Sequence, residues 1–223
     1  MEIRSANSRF ILVVFDLDGT LIDSRRDLAE SANAVLEACG CAPHSEEAIG
    51  RMVGDGAATL VARAFEAARC PQPPDALDRF LSIYSGRLLS STRPYDGIPA
   101  LLDALAPTLT LAVLTNKPLA STRTILDALD LARFFGDRVI GGDGPFPRKP
   151  DPAGLLSLAS RAGADPARTL LVGDSVIDWR TARAASAHIC LARYGFGFDG
   201  FPSADLGPDD RVIDRPGDLL FFL

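Results

Sequence analysis

Acidic side chains follow two apolar runs of the sequence and could bind a metal ion together. Asp16 and Asp18 come directly after the run at residues 10–15. Asp174 comes directly after the run Thr169–Gly173. Residues i and i+2 of an extended chain point to the same side, so Asp16 and Asp18 can present their carboxylates together. Paired carboxylates repel unless a cation lies between them, and oxygen ligands at this density suit Mg²⁺. The alternative is an ordinary Asp-Gly turn that leaves a strand.

Asp178 lies four residues after Asp174, on the same face of a helix that is predicted to begin there. Asp174 could therefore complete the Mg²⁺ site, and Asp178 could orient its ligands. The alternative for both residues is helix capping with a favourable charge at the helix N-terminus.

Two further segments carry groups that could hold phosphate. Thr115, Asn116 and Lys117 follow the apolar run at 109–115, where a hydroxyl and backbone N–H groups at a helix start can bind phosphate oxygens. Lys149 lies in a proline-rich segment at 148–152, and its charge could neutralise a phosphoryl group beside a carboxylate. Taken singly, the first segment is also explained as a helix N-cap and the second as a solvated lysine.

The elements that must position these groups indicate an α/β fold. Predicted strands lie at 10–15, 109–115, 138–142, 169–173 and 188–192, and their continuous apolar character is typical of strands covered on both faces. Helical stretches at 119–130, 153–162 and 176–187 separate the last four strands. This alternation predicts a doubly wound, parallel, Rossmann-like sheet, which a short strand near Val212 and a C-terminal helix complete. The acids, the hydroxyl and the lysine would then meet at the edge of the sheet where such folds bind ligands.

One interval breaks this alternation of strands and helices. Residues 22–92 contain three apolar stripes at helical spacing and no convincing strand. We therefore expect residues 1–21 plus 93–223 to form the catalytic core, and residues 22–92 to form an inserted all-helical cap whose two connections act as hinges.

The segments FDLDGTL, LTNK, RKPDP and GDSxxD together resemble the haloacid dehalogenase-like hydrolase superfamily, and the helical insert resembles its cap. The resemblance implies that Asp16 is a nucleophile that forms an aspartyl-phosphate, and that Asp18 is the acid and base for the leaving alcohol and the attacking water. It implies Mg²⁺ bound by the side chains of Asp16 and Asp174 and by the backbone carbonyl of Asp18. Thr115, Asn116 and Lys149 would hold phosphoryl oxygens, and Asp178 would orient the metal site.

Two details narrow the implied reaction to a Mg²⁺-dependent phosphatase acting on a small phosphorylated metabolite. Dehalogenases of the superfamily have no acid two residues after the nucleophile, since halide leaves without a proton, so Asp18 favours phosphoryl transfer. The loop at 51–57 and the segment that begins at Pro94 resemble phosphoglycolate phosphatases, so we expect Arg51, Gly54 and Lys117 to bind substrate. Asp55 stands where that group often has Asn and would oppose a substrate carboxylate, for which Arg51 could compensate.

Three other functions remain as alternatives: a phosphomutase similar to β-phosphoglucomutase, a pyrophosphatase, and a binding protein without catalysis. A match to G-x-G-x-x-G at Gly195, Gly197 and Gly200 lacks the helix start that a dinucleotide site needs.

Composition excludes several other classes. The 23 basic and 29 acidic residues carry a formal charge of −6, which argues against nucleic-acid and membrane-surface partners. The apolar run at 10–15 is too short for a signal or a membrane span, so we expect a cytoplasmic monomer or homodimer. In that compartment the four cysteines are expected to be reduced. A zinc site of Cys39, Cys41, His44 and Cys70 fits no common spacing.

Overall fold

The structure, a computed structural model, describes residues 9–199 and 201–223. These residues form eight strands: β1 Leu12–Phe15, β2 Ile22–Asp23, β3 Arg93–Pro94, β4 Thr110–Leu114, β5 Val139–Ile140, β6 Thr169–Gly173, β7 His188–Ala192 and β8 Arg211–Ile213. They also form nine α-helices: α1 Arg25–Ala38, α2 Glu46–Gly50, α3 Ala57–Ala67, α4 Ala76–Ser85, α5 Ile98–Leu105, α6 Leu119–Ala128, α7 Ala132–Phe135, α8 Ala153–Arg161 and α9 Val176–Ala184.

Six strands form one parallel sheet in the order β5-β4-β1-β6-β7-β8. The side chains of β1 alternate between two hydrophobic cores: Val13 and Phe15 pack with helices α5 to α7, and Leu12 and Val14 pack with α8 and α9. Helices therefore cover both faces, and the predicted doubly wound α/β fold is confirmed. The predicted strand near Val212 is β8, whereas the predicted C-terminal helix is the 3₁₀-helix Pro216–Phe221.

Strand β1 lies between β4 and β6, and the helices that follow these two strands, α6 and α9, pack on opposite faces of the sheet. Such a switch point opens a crevice at the carboxyl edge of the sheet. The residues that directly follow β1, β4 and β6 are Asp16, Thr115 and Asp174. The order of the strands thus brings three of the predicted site residues to one crevice.

Helices α1 to α4, hereafter the helical insert, share a hydrophobic core of their own. Leu36, Ile49, Phe65 and Phe80 are among its fully buried side chains, one from each helix. The helical prediction for this interval omitted one element, because Ile22–Asp23 pairs antiparallel with Arg93–Pro94 to form a two-stranded ribbon where the insert joins the sheet. Two residues are too few to show the alternating pattern by which a strand is predicted.

The expectation that all four cysteines are reduced is wrong for two of them. Cys41 and Cys70 form a disulfide in the helical insert, 29 residues apart in sequence, whereas Cys39 and Cys190 are free. The loops after α1 and α3 bring the pair together, and their sequence spacing does not reveal this contact. Cysteine belongs to no metal-binding cluster in the described part of the chain. No helix within the described ranges has the length and apolarity that a bilayer span requires.

Candidate active site

Asp16 begins the site at the carboxyl end of β1. Its N–H donates to the carbonyl of Val172 at 2.8 Å and continues the pairing of β1 with β6. The chain then turns at Gly19, where φ is +87° and a Cβ would lie 1.9 Å from Asp174 Oδ2. Glycine at this position lets the loop after β1 approach the carboxylate that follows β6.

Asp16, Asp174 and Asp178 form a buried acidic cluster, with one carboxylate oxygen of each lying within 4.8 Å of the others. Burial raises the pKa of Asp16 to about 7, although Lys149 opposes this shift. Burial and the charges of Asp178 and Asp16 also raise the pKa of Asp174 well above its usual range. Three buried carboxylates at this separation are unfavourable unless cations neutralise them.

Lys149 supplies one of these cations. Its Nζ lies 2.8 Å from Asp16 Oδ1 and 2.6 Å from Asp178 Oδ1, and the side chain is buried. Burial by itself would lower the pKa of Lys149, but the charges of Asp16 and Asp178 outweigh it and hold the pKa above its ordinary value. Lys149 therefore stays positively charged beside the predicted nucleophile.

Asp178 is fixed by hydrogen bonds on both oxygens. Oδ1 accepts from Lys149, and Oδ2 accepts from the hydroxyl of Ser175 at 2.6 Å and from its N–H at 3.1 Å, which forms a capping box at the start of α9. Because both oxygens are occupied, Asp178 is better suited to orient Lys149 than to bind a metal directly.

The loop after β7 supports Asp174. The N–H of Gly197 donates to Asp174 Oδ2 at 2.7 Å, and a Cβ at Gly195 would lie 2.2 Å from the carbonyl oxygen of Gly19. The glycines that matched a dinucleotide fingerprint therefore permit close backbone approach to an acidic site, and Gly200 lies outside the described residues. Sequence reasoning missed this role, although a glycine-rich loop after a parallel strand is a usable signal.

The residues present fit a divalent cation. All candidate ligands are carboxylates, the donor type that Mg²⁺ prefers. Lys149 neutralises one of the three carboxylates, so the cluster retains the charge that one divalent ion would balance. An acidic cluster able to hold a metal ion is thus part of the site.

Asp18 is held by the side chains of two residues. Lys117 Nζ lies 3.0 Å from each of its carboxylate oxygens, and the hydroxyl of Ser24 donates to Oδ1 at 2.5 Å. The buried Lys117 also lies over the ring of Tyr84, 4.6 Å from its centroid. Lys117, predicted to bind substrate, therefore contacts the predicted acid and base. Sequence reasoning did not identify Ser24, although it lies only six residues after Asp18.

Asn116 connects three segments through its amide. Nδ2 donates to the carbonyls of Gly54 and Lys149 at 2.8 and 2.9 Å, and Oδ1 accepts from the N–H of Lys149 at 2.9 Å. These bonds join the end of β4 to the segment that carries Lys149 and to the loop before α3. The amide therefore positions Lys149. The Thr115 hydroxyl accepts from Lys117 N at 3.2 Å and borders the cavity beside Asp16.

The structure separates the two insert residues that were predicted to bind substrate. Gly54 borders the active-site cavity. Arg51 does not: it lines a second cavity and lies 3.8 Å from Asp199. Asp55 faces the same second cavity, where it pairs with Arg63 at 2.7 Å. The expectation that Arg51 compensates for Asp55 beside the substrate is therefore wrong, because both side chains leave the loop on its other side.

The active-site cavity lies between the sheet edge and the helical insert. The sheet side supplies Asp16, Asp18 and the segment from Thr115 to Pro118. The insert side is mainly apolar and consists of Leu28, Val53, Gly54, Gly56, Ala57, Leu60, Phe80, Leu81 and Tyr84. The sequence placed Tyr84 in an apolar helical stripe and gave no sign that it would line the active-site cavity.

Comparisons with known proteins agree with this geometry. The family described as haloacid dehalogenase-like hydrolase matches residues 13–192. Over 204 residues the chain is 42% identical to a phosphoglycolate phosphatase of Rhodospirillum rubrum, covering 87% of this chain and 83% of that one. It is 34% identical over 215 residues to an N-acetylmuramic acid 6-phosphate phosphatase of Pseudomonas aeruginosa, covering 95% and 94% of the two chains. A crystal structure of a predicted phosphoglycolate phosphatase from Haemophilus somnus superposes with a TM-score of 0.87 at 32% identity, covering 96% and 98% of the two chains.

Proposed function

The chain belongs to the haloacid dehalogenase-like hydrolases and is a phosphatase, and we propose that it hydrolyses 2-phosphoglycolate by way of a phosphoryl group carried on Asp16. One observation carries the chemistry: the Asp16 carboxylate lies 2.8 Å from a permanently charged ammonium, with a second acid two residues further along the chain. This arrangement supplies a nucleophile, a charge for the phosphoryl oxygens and a proton donor at one place.

In the first step a carboxylate oxygen of Asp16 attacks phosphorus in line with the ester oxygen, which leaves as an alcohol. Lys149 keeps Asp16 oriented and stabilises the charge on the equatorial oxygens. The Thr115 hydroxyl and the backbone N–H of Asn116 are the groups we assign to the same oxygens, since the Asn116 amide is engaged with Gly54 and Lys149. Water then attacks the aspartyl-phosphate and releases phosphate.

Asp18 transfers the protons in both steps. It gives a proton to the leaving alcohol and takes one from the attacking water, which are opposite directions of one transfer. Lys117 and Ser24 hold its carboxylate at the border of the cavity. We assign Lys117 to positioning this group as well as to binding substrate.

We propose Mg²⁺ as the metal of the acidic cluster, held by the side chains of Asp16 and Asp174 and by the backbone carbonyl of Asp18. When bound it would neutralise charge on the phosphoryl oxygens and between the carboxylates. Asp178 would keep Lys149 and the ligand set in place through the bonds described above.

We also propose that the chain divides into a catalytic core, residues 1–21 plus 93–223, and a cap, residues 22–92. The insert side of the cavity then selects the leaving group, because the sheet side handles the phosphoryl group. The ribbon of β2 and β3 would be the hinge of this cap.

Substrate choice is tested with the purified chain, Mg²⁺ and a panel of phosphate compounds. The panel contains 2-phosphoglycolate, N-acetylmuramic acid 6-phosphate, β-glucose 1-phosphate and pyrophosphate. We expect the highest kcat/KM for 2-phosphoglycolate and no activity with EDTA. The similarity to an N-acetylmuramic acid 6-phosphate phosphatase makes the sugar ester the second candidate. A phosphorylated isomer in place of free phosphate would instead identify a mutase, and pyrophosphate as the best substrate would also overturn the proposal.

A further inference from the structure

The insert side of the active-site cavity has one polar side chain among the described residues that form it. Leu28, Val53, Leu60, Phe80 and Leu81 are apolar, and only Tyr84 carries a hydroxyl. The insert can therefore recognise a polar group on the leaving alcohol through this side chain or through backbone N–H groups.

The hydroxyl of Tyr84 is buried, and its proton has no acceptor within the described ranges. Lys117 lies over the ring and donates a hydrogen bond toward the hydroxyl oxygen, but an ammonium group cannot accept the hydroxyl proton. Burial raises the pKa of Tyr84 to about 12, so the hydroxyl keeps its proton at neutral pH. An unpaired buried donor is unfavourable, and its presence in a cavity that contains the catalytic acids points to an acceptor on a ligand.

Two neighbouring features favour an anionic acceptor. Lys117 is the only ammonium group that borders this cavity in the described part of the chain. The first turn of α3 also borders it through Gly56 and Ala57, and no side-chain cap occupies its N–H groups. The positive end of a helix and a hydroxyl donor form a suitable environment for a carboxylate, and the ammonium group, which also pairs with Asp18 at 3.0 Å, would be shared between the two carboxylates.

We propose that Tyr84 determines substrate specificity by donating its hydroxyl hydrogen bond to a carboxylate on the leaving group, with Lys117 and the start of α3 supplying positive charge. The inference rests on the proposed function and identifies the part of the cavity that distinguishes 2-phosphoglycolate from neutral esters. Asp55 faces the second cavity and does not oppose this carboxylate.

The test compares Tyr84→Phe with Tyr95→Phe. Tyr95 also has a buried hydroxyl without an acceptor within the described ranges, but it lies outside the cavity and packs against Tyr194. Each variant is assayed with 2-phosphoglycolate and with 2-hydroxyethyl phosphate, in which CH₂OH replaces the carboxylate. We expect Tyr84→Phe to lower kcat/KM for 2-phosphoglycolate about 10- to 100-fold, mainly through KM, since a hydrogen bond to a charged group is lost. The value for the hydroxyethyl ester should change less than about threefold, and Tyr95→Phe should change neither.

Thermal unfolding separates recognition from a structural role. Tyr84→Phe removes a donor that lacks an acceptor but also an oxygen to which Lys117 donates, and Lys117 keeps its pairing with Asp18, so we expect little change in Tm. Equal losses on both esters, or a lower Tm with no change in specificity, would overturn the role of Tyr84 but leave the proposed substrate intact. A wild-type enzyme without preference for 2-phosphoglycolate over the hydroxyethyl ester would overturn both proposals.

Discussion

Asp27 and Thr92 lie 65 residues apart in sequence and are joined by two hydrogen bonds. Oδ2 of Asp27 accepts from the N–H of Thr92 at 2.8 Å and from its hydroxyl at 2.7 Å. The N–H of Ser91 donates to both oxygens of the same carboxylate. Asp27 lies in the first turn of α1 and Thr92 directly precedes β3, so one buried carboxylate holds together the two connections of the helical insert.

We expect Asp27→Asn to lower the free energy of unfolding by about 2–4 kcal/mol, because it weakens charge-assisted hydrogen bonds and places an NH₂ group against donors. Urea denaturation measures the change. Asp75→Asn is the matched control, since Asp75 is exposed and its partner among the described residues is Arg79 in the next helical turn, and it should cost less than about 0.5 kcal/mol. Similar losses in both variants would contradict the role of Asp27.

Asp16→Asn should abolish turnover, with kcat reduced by at least about 10⁴-fold, because an amide cannot form the acyl phosphate. Melting should change little, since Lys149 keeps its partner Asp178. Steady-state phosphate release and thermal unfolding test both statements. Asp137→Asn, an exposed acid paired with Arg161, should retain full activity. Substantial phosphatase activity of Asp16→Asn would refute the assignment of the nucleophile.

Asp18→Asn should lower the rate most for substrates with poor leaving groups. With 2-phosphoglycolate we expect a loss of about 10²–10⁴-fold, the usual contribution of general acid catalysis. Nitrophenolate leaves without a proton, so p-nitrophenyl phosphate should still transfer its phosphoryl group to Asp16, while hydrolysis of the intermediate is slow. Stopped-flow absorbance should then show a burst of about one nitrophenolate per enzyme. Equal losses on both substrates without a burst would argue against Asp18 as the proton donor.

Stabilisation by Mg²⁺ should increase with pH. The folded, metal-free protein has a raised pKa at Asp16, about 7, and at Asp174. A carboxyl group whose pKa is raised by folding stabilises the fold at low pH, and this contribution is lost as pH rises through the folded pKa. Mg²⁺ binds the deprotonated carboxylates and offsets the loss.

Calorimetry with EDTA and with Mg²⁺ at pH values from 5.5 to 8.5 measures this effect. We expect the difference in Tm between the two conditions to be small at the acid end and to grow through pH 7. Because the two conditions are compared at the same pH, the effects on Tm of groups that titrate far from the metal cancel. Asp174→Asn should remove most of the difference, and a difference independent of pH would contradict the prediction.

The sequence predicted the sheet and the residues at its carboxyl edge well. Strands β1, β4 and β6 are largely apolar runs, and Asp16, Thr115 and Asp174 directly follow them. A residue that follows a buried parallel strand lies at the carboxyl edge of the sheet, however the rest of the chain folds. The local sequence pattern was therefore sufficient to predict the position of these residues. Lys149 was predicted in the same way but reaches the site through a longer segment that the Asn116 amide holds.

Only the tertiary structure decided how the insert meets that edge. Arg51 and Asp55 stand within four residues of Gly54, yet they line another cavity, because the loop at 51–57 borders both cavities. Three contacts join residues that are 29 to 99 positions apart in sequence: Asp18 with Lys117, Asp27 with Thr92, and Cys41 with Cys70. Such contacts depend on how separate helices pack, and packing is set by the shapes of whole surfaces rather than by local pattern. The chemistry at Asp16 can therefore be predicted from the sequence, whereas the environment of Tyr84 is known only from the packing of the folded insert.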